Sequence, residues 1–334
     1  MAKAPTAPEL AEGVLASSRA HIARAITMVE SKKPAHRDIA HELLRLLTPH
    51  TGGAVRVGIS GVPGAGKSTF INALGMRLVN EHGMKLAVLA VDPSSSQTGG
   101  SILGDRTRMG ELAMLDNTFI RPSPSGNHLG GVARATREAM VICEAAGYGA
   151  VFVETVGVGQ SEIAVSEMVD TFLMLHAANT GDSLQGIKRG ILELADVIAV
   201  NKADGANAAP ARIAARELRM ALKLVAGSER EPAEVLTCSS TTGEGLDEVW
   251  KAITDHRQRL EDTGSLIARR RRQQRQWLWS LVRNEVLTLL ENDPEIKAVA
   301  DRVEHDLDDE GTNAMDAANA ILAAFVERAY LLKE

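Results

Sequence analysis

The feature that most constrains the fold is a glycine-rich stretch between an apolar run and a helical pattern. Residues 61–68 read Gly-Val-Pro-Gly-Ala-Gly-Lys-Ser and match G-x-x-x-x-G-K-[ST] at every fixed position. The apolar run 55–60 precedes them, and a helical pattern follows over 67–81. A strand that turns through glycines into a helix directs backbone N–H groups at one anion. The sequence therefore predicts a phosphate-binding loop at the end of a strand.

Two side chains of this loop have chemical roles of their own. The Lys67 ammonium is expected to neutralise the β- and γ-phosphates of a nucleotide, and the Ser68 hydroxyl to bind Mg²⁺. Glycine permits backbone angles that a Cβ would forbid, which suits a loop wrapped around phosphates. The predicted nucleotide-binding residues here are Gly61, Val62, Pro63, Gly64, Ala65, Gly66, Lys67, Ser68 and Thr69.

Apolar runs and helical patterns alternate along the middle of the chain. The predicted strands lie at 55–60, 85–91, 150–153, 171–175, 197–200 and 234–237. Near-continuous apolar strands that alternate with helices are typical of a parallel sheet buried on both faces. We predict an α/β fold, a P-loop NTPase with a mostly parallel doubly wound sheet. The connection 92–124 is long for such a fold and is expected to be functional.

Helical extensions flank the predicted sheet. One helix is predicted over 10–31 and a second over 39–47, and after residue 262 only helical stripes follow, at 278–290 and 313–332. The predicted domains are an N-terminal helical extension at 1–53, a nucleotide-binding domain at 54–262 and a C-terminal helical segment at 263–334.

Composition excludes several classes of protein. The 334 residues carry a net charge of −6, and 3% of them are aromatic. General nucleic-acid binders are basic and often stack bases on aromatic rings, so none is expected as a partner. No apolar run approaches the roughly 20 residues of a membrane span, and the start lacks the apolar core of a signal peptide. Two cysteines build no disulfide framework. We therefore expect a cytoplasmic protein without a membrane partner.

A second motif predicts which base is bound. Asn201, Lys202 and Asp204 form N-K-x-D at the end of a buried strand. A carboxylate at Asp204 accepts from both N1–H and the exocyclic amine of guanine, whereas adenine would leave it unpaired. After the next strand, Ser239 and Ser240 resemble an S-A element, whose backbone N–H contacts guanine O6. The motif order therefore predicts guanine, with GTP and GDP as ligands.

Acidic residues near the strand ends predict a Mg²⁺ site, since Mg²⁺ prefers a few carboxylates with phosphate oxygens and water. The predicted metal ligands are Ser68, Asp92, Asp105 and Glu154, and Gly157 is expected near the γ-phosphate. For Asp105, an ordinary surface acid paired with a neighbouring arginine remains an equal alternative. No glutamine directly follows Gly157, so we predict slow hydrolysis that a partner accelerates.

Several longer motifs occur together in one known family. They are G-V-P-G-A-G-K-S-T at 61–69, V-D-P-S-S at 91–95, G-D-R-x-R-M at 104–109, E-T-V-G-V-G-Q-S-E at 154–162, D-x-L-Q-G-I-K at 182–188 and N-K-A-D at 201–204. In these motifs, over most of its length, the sequence resembles the MeaB/ArgK family of P-loop GTPases.

The resemblance implies a partner and further site residues. Members are G-protein chaperones of methylmalonyl-CoA mutase, an adenosylcobalamin enzyme, and they gate delivery of its cofactor from an adenosyltransferase. The resemblance also implies a homodimer through the C-terminal helices, Mg²⁺ held by the acids named above, and a switch loop with Gln185 and Lys188. The predicted catalytic set is then Lys67, Glu154, Gln185 and Lys188.

Some alternatives remain. The client is either methylmalonyl-CoA mutase or a related B12 mutase. A P-loop kinase is a second possibility, although no motif for an acceptor base is found. The sequence also departs from the family pattern, since Ser240 replaces the usual alanine.

The arginine run 269–272 has its own alternatives. It is a phosphate-binding patch, a solvated helix face, or a partner of the acidic stretch 301–310 across a dimer, and we favour the last two.

Overall fold

A computed structural model describes most of the chain. The described residues are 5–31, 33–91, 109–122, 129–155, 161–177, 189–225, 232–308 and 313–331. Some predicted site residues lie outside these ranges, namely Asp92, Asp105, Gly157, Gln185 and Lys188.

A parallel sheet of seven strands forms the centre of the fold, with strand order β3-β2-β4-β1-β5-β6-β7. The strands are β1 (Val55–Gly61), β2 (Leu86–Val91), β3 (Thr118–Arg121), β4 (Ala150–Thr155), β5 (Thr171–Ala177), β6 (Val197–Asn201) and β7 (Glu234–Thr237). All six strand pairings are parallel. The predicted fold class is confirmed, and β1, which leads into the phosphate loop, lies between β4 and β5.

Helices connect and flank these strands. They are α1 (Ala7–Leu15), α2 (Arg19–Glu30), α3 (Pro34–Leu47), α4 (Lys67–Asn80), α5 (Gly110–Ala113), α6 (Leu129–Ala145), α7 (Ser161–Ser166), α8 (Arg189–Leu194), α9 (Ala208–Val225), α10 (Leu246–Asp262), α11 (Ser265–Asn292), α12 (Pro294–Asp308) and α13 (Ala314–Leu331). None of those in the described ranges is long and apolar enough to cross a membrane.

Alternation along the strands sends side chains to both faces of the sheet. In β4, Phe152 packs on the face covered by α4 and α10. Its neighbours Val151 and Val153 pack on the other face, against α1–α3 and α6. This two-sided burial is the reason that the strands are nearly continuous apolar runs.

The structure corrects three sequence predictions of elements. The part of the predicted connection 92–124 that is described contains α5 and the edge strand β3. The helix predicted over 10–31 is two helices, because Ser17 has a left-handed φ of 57° and its hydroxyl donates to the Ala146 carbonyl. An additional helix, α12, follows the break at Pro294.

The arginine run 269–272 has a structural role at the amino-terminal ends of the strands. Arg270 donates from two nitrogens to the fully buried Asp170 carboxylate, at 2.8 and 2.7 Å. Arg269 donates to Asp196 at 3.1 Å, whereas Arg271 and Arg272 are exposed. Half of the run is therefore a solvated face, as favoured, and the other half forms ion pairs that the sequence analysis did not predict.

The chain divides into two compact units, residues 1–273 and 274–334. The first contains the sheet and every predicted nucleotide-binding residue. In the second, α12 and α13 pack together, with Ile296, Val303 and Ala317 buried.

Candidate functional site

The phosphate loop joins β1 to α4 through glycines in left-handed conformations. Gly64 has φ +82° and Gly66 has φ +88°, which side chains other than glycine's rarely adopt. At Gly61 the restriction is one of space, because a Cβ there would lie 2.3 Å from the Leu175 carbonyl oxygen of β5. The motif glycines are therefore required by the path of the backbone.

Lys67 is the first residue of α4, and its ammonium points back into the loop. Its Nζ donates to the Gly61 carbonyl at 2.8 Å. Burial lowers the pKa of Lys67, and the nearby charges of Glu154 and Glu162 oppose that shift. A bound polyphosphate would add negative charge at this position and favour the charged ammonium.

Glu162 is a site residue whose role the sequence analysis did not predict. It lies in the first turn of α7, is fully buried, and accepts from the Ser161 hydroxyl at 3.3 Å. Its carboxylate acts on Lys67 together with that of Glu154. The available signal was its place in the family motif at 154–162, which does not reveal its proximity to the lysine.

Glu154 and Ser68 come together beside Lys67. Glu154 lies near the end of β4 with 3% of its surface exposed, and the Ser68 hydroxyl donates to its Oε1 at 3.3 Å. A hydroxyl and a buried carboxylate in contact form a hard oxygen pair, which fits Mg²⁺. These two are the described members of the predicted metal set.

The predicted base-binding residues gather at the ends of β6 and β7. The Ser239 hydroxyl donates to Asp204 Oδ2 and accepts the backbone N–H groups of Thr241 and Thr242, at 3.2 and 3.1 Å. Ser239 is fully buried, so this network holds the Asp204 carboxylate in one orientation. Lys202, between the two motif residues, is exposed and has a φ of 62°.

Asn201 connects the base-binding end to the phosphate loop. Its Nδ2 donates to the Ala65 carbonyl at 2.9 Å, and a Cβ on Gly66 would lie 2.9 Å from the same nitrogen. Its Oδ1 accepts from Ser240 and from the Cys238 thiol. Burial raises the pKa of Cys238 to about 12, so the thiol remains protonated and able to donate. The two predicted half-sites are thus one hydrogen-bonded unit.

A protein-family model matches most of the chain. The model for "Methylmalonyl Co-A mutase-associated GTPase MeaB" covers residues 22–295. The match therefore includes every described residue of the candidate site.

Individual proteins show the same similarity. "Probable GTPase Rv1496" of Mycobacterium tuberculosis is 55% identical, over 90% of this chain and 89% of its own. "GTPase ArgK" of Escherichia coli is 50% identical over 81% and 82%, and the mouse "Methylmalonic aciduria type A homolog, mitochondrial" is 42% identical over 95% and 79%.

A crystal structure of a protein named "LAO/AO transport system kinase" has a similar fold. It superposes with a TM-score of 0.74 at 36% identity, over 98% of this chain and 99% of its own.

Proposed function

The chain belongs to the MeaB family of GTPases, and on that premise we propose that it is a GTP-hydrolysing chaperone of methylmalonyl-CoA mutase. In this proposal it assembles and protects the mutase and gates its loading with adenosylcobalamin from an adenosyltransferase. The family description and the name of the mouse relative support the mutase as client. A related B12 mutase is the alternative client.

One observation carries the proposal that the nucleotide is GTP. Asn201 of the N-K-x-D motif donates to the Ala65 carbonyl of the phosphate loop at 2.9 Å. A guanine accepted by Asp204 would therefore have its phosphates at Lys67 and Ser68. Adenine has no donor pair for the Asp204 carboxylate, and a base that covers this carboxylate without donating to it binds unfavourably.

The phosphate end supports hydrolysis. Lys67 exchanges the Gly61 carbonyl for the β- and γ-phosphates, and its charge stabilises the negative charge that develops during phosphoryl transfer. Ser68 and Glu154, with Asp92 and Asp105, are proposed to hold Mg²⁺, which when bound neutralises phosphate charge. Gly157, Gln185 and Lys188 are proposed to complete the site and to respond to the partner, and hydrolysis without the partner is slow.

The remaining assignments concern the assembly and its location. We propose a cytoplasmic homodimer that forms through the C-terminal helices after residue 263. Neither nucleic acid nor a membrane is a partner in this proposal.

The test measures GTP turnover with and without purified methylmalonyl-CoA mutase, with ATP as the control nucleotide. We expect slow, GTP-specific hydrolysis that rises several-fold when mutase is added. Asp204→Asn is the matched variant, because an amide N–H suits the C2 carbonyl of xanthine and not the amine of guanine. It should lose at least about 100-fold in GTP affinity and gain XTP binding.

Two other results would lead to different conclusions. GTP turnover that mutase does not change would retain the GTPase and reject this client. Preference for ATP over GTP would overturn the base assignment and favour the kinase alternative, which the name of the solved structural neighbour also raises.

A further inference from the structure

Ser240 differs from the expected S-A element by one hydroxyl group, and that hydroxyl has a partner. Its Oγ donates to Asn201 Oδ1 at 2.9 Å, and its backbone N–H donates to the same oxygen at 3.0 Å. An alanine at this position would provide only the backbone donor. Serine in place of the usual alanine therefore gives Asn201 a hydrogen-bond donor that an alanine at position 240 would not provide.

Asn201 Oδ1 has more donors than it needs. Asn201 is 1% exposed, so water does not supply hydrogen bonds to it freely. An amide oxygen has two lone pairs, and three groups donate here, namely the Ser240 N–H, the Ser240 hydroxyl and the Cys238 thiol at 3.8 Å. The Ser240 N–H is therefore able to give up its hydrogen bond to Asn201 Oδ1 without leaving that buried oxygen unpaired.

The same backbone N–H is the one expected to contact O6 of a bound guanine. We propose that Ser240 is a positioning residue for guanine. Its hydroxyl keeps Asn201 Oδ1 satisfied while its own N–H turns from that oxygen to O6 of the base. The inference rests on the proposed guanine-nucleotide binding.

This exchange of hydrogen-bond partners lowers the free-energy cost of binding the 6-oxo group of guanine. With alanine at position 240, transfer of the N–H to O6 would leave Asn201 Oδ1 with the distant thiol alone. A buried acceptor that loses its partner costs free energy comparable to a hydrogen bond. The hydroxyl also holds the Asn201 amide in the orientation that directs Nδ2 to the Ala65 carbonyl.

The test compares GDP and 6-thio-GDP binding to the full chain and to Ser240→Ala, by calorimetry. The sulfur of 6-thio-GDP accepts hydrogen bonds weakly, so it draws the N–H away from Asn201 less strongly. Ser240→Ala should bind GDP about 5- to 20-fold more weakly, the effect of one lost hydrogen bond at a buried acceptor. Its loss for 6-thio-GDP should be no more than about twofold, since the exchange is then weak.

Kinetics and controls separate positioning from folding. The KM for GTP should rise in Ser240→Ala by the same factor as the dissociation constant while kcat stays unchanged, because the base is remote from the γ-phosphate. Ser240→Thr keeps the hydroxyl and should restore GDP affinity. Thr241→Ala removes an exposed hydroxyl from the same turn and should bind like the natural chain.

Three outcomes would overturn the proposal. The first is no loss of GDP affinity in Ser240→Ala, and the second is an equal loss for GDP and 6-thio-GDP, which would mean that the hydroxyl only supports the folded turn. The third is a failure of the natural chain to bind GDP. This result would refute the proposed function as well, and the measurement on the natural chain alone would show it.

Discussion

Gly64 and Gly66 have nearly the same left-handed φ and very different surroundings. A Cβ on Gly64 would meet nothing within 4 Å, whereas one on Gly66 would lie 2.9 Å from Asn201 Nδ2. Gly64→Ala should therefore cost only backbone strain, about 1 kcal/mol in the free energy of unfolding. Gly66→Ala should cost about 2–4 kcal/mol, because it also displaces the hydrogen bond from Asn201 to Ala65. Urea unfolding of both variants measures the difference, and equal losses would contradict it.

At the same scale, the sequence predicts local motifs well and contacts between motifs poorly. The loop 61–69 and the segment 201–204 are each continuous in sequence, so residue spacing is enough to predict the chemistry of each one. The proximity of Glu162 to Lys67 and the bonds from Ser240 to Asn201 are set by packing between distant segments. No spacing rule contains that information.

At the scale of the element, Arg270 is one of the residues that anchor the start of α11 to the amino-terminal ends of the strands. Arg270 donates twice to the fully buried Asp170 carboxylate and also to the Gly52 carbonyl at 2.6 Å. Arg270→Ala should lower the free energy of unfolding by about 3 kcal/mol, because the buried carboxylate loses its counter-charge. Arg272→Ala, in the same run and exposed, should change it by less than about 0.5 kcal/mol. Chemical denaturation measures both, and similar values for the two variants would refute the anchoring role.

A strand is predicted from the sequence most readily where its side chains are buried, because burial gives it an apolar run. Five of the six predicted strands are buried apolar runs, the sixth, β7, is a short strand that begins at the exposed Glu234, and all six are present. The edge strand β3, which also has four residues, two of them only partly buried, and ends in Arg121, was not predicted. The break between α1 and α2 was missed because it depends on the backbone angle of Ser17 and its bond to Ala146, a residue far along the chain.

At the scale of the whole molecule, the predicted nucleotide-binding residues and the proposed dimer surface belong to different compact units. Every predicted nucleotide-binding residue lies within residues 1–273, whereas the exposed apolar residues Leu278, Trp279, Val282, Leu287 and Leu289 of α11 lie in the unit 274–334. The two activities should therefore respond independently to substitution.

The surface of α11 beyond residue 273 offers a specific test of the proposed homodimer. Trp279, Val282, Val286 and Leu289 follow one another at spacings of three, four and three, the pattern of a coiled-coil seam. Trp279 is 61% exposed, Val282 42% and Leu289 47%, a large apolar row for a monomer.

In sedimentation experiments the natural chain should have twice the 35.6 kDa chain mass. Val282→Glu combined with Leu289→Glu should be monomeric because it places charges in the seam, and its GDP affinity should be unchanged. Arg283→Glu, which alters charge beside the seam, should remain dimeric. A double variant that stays dimeric, or a monomeric natural chain, would refute this interface.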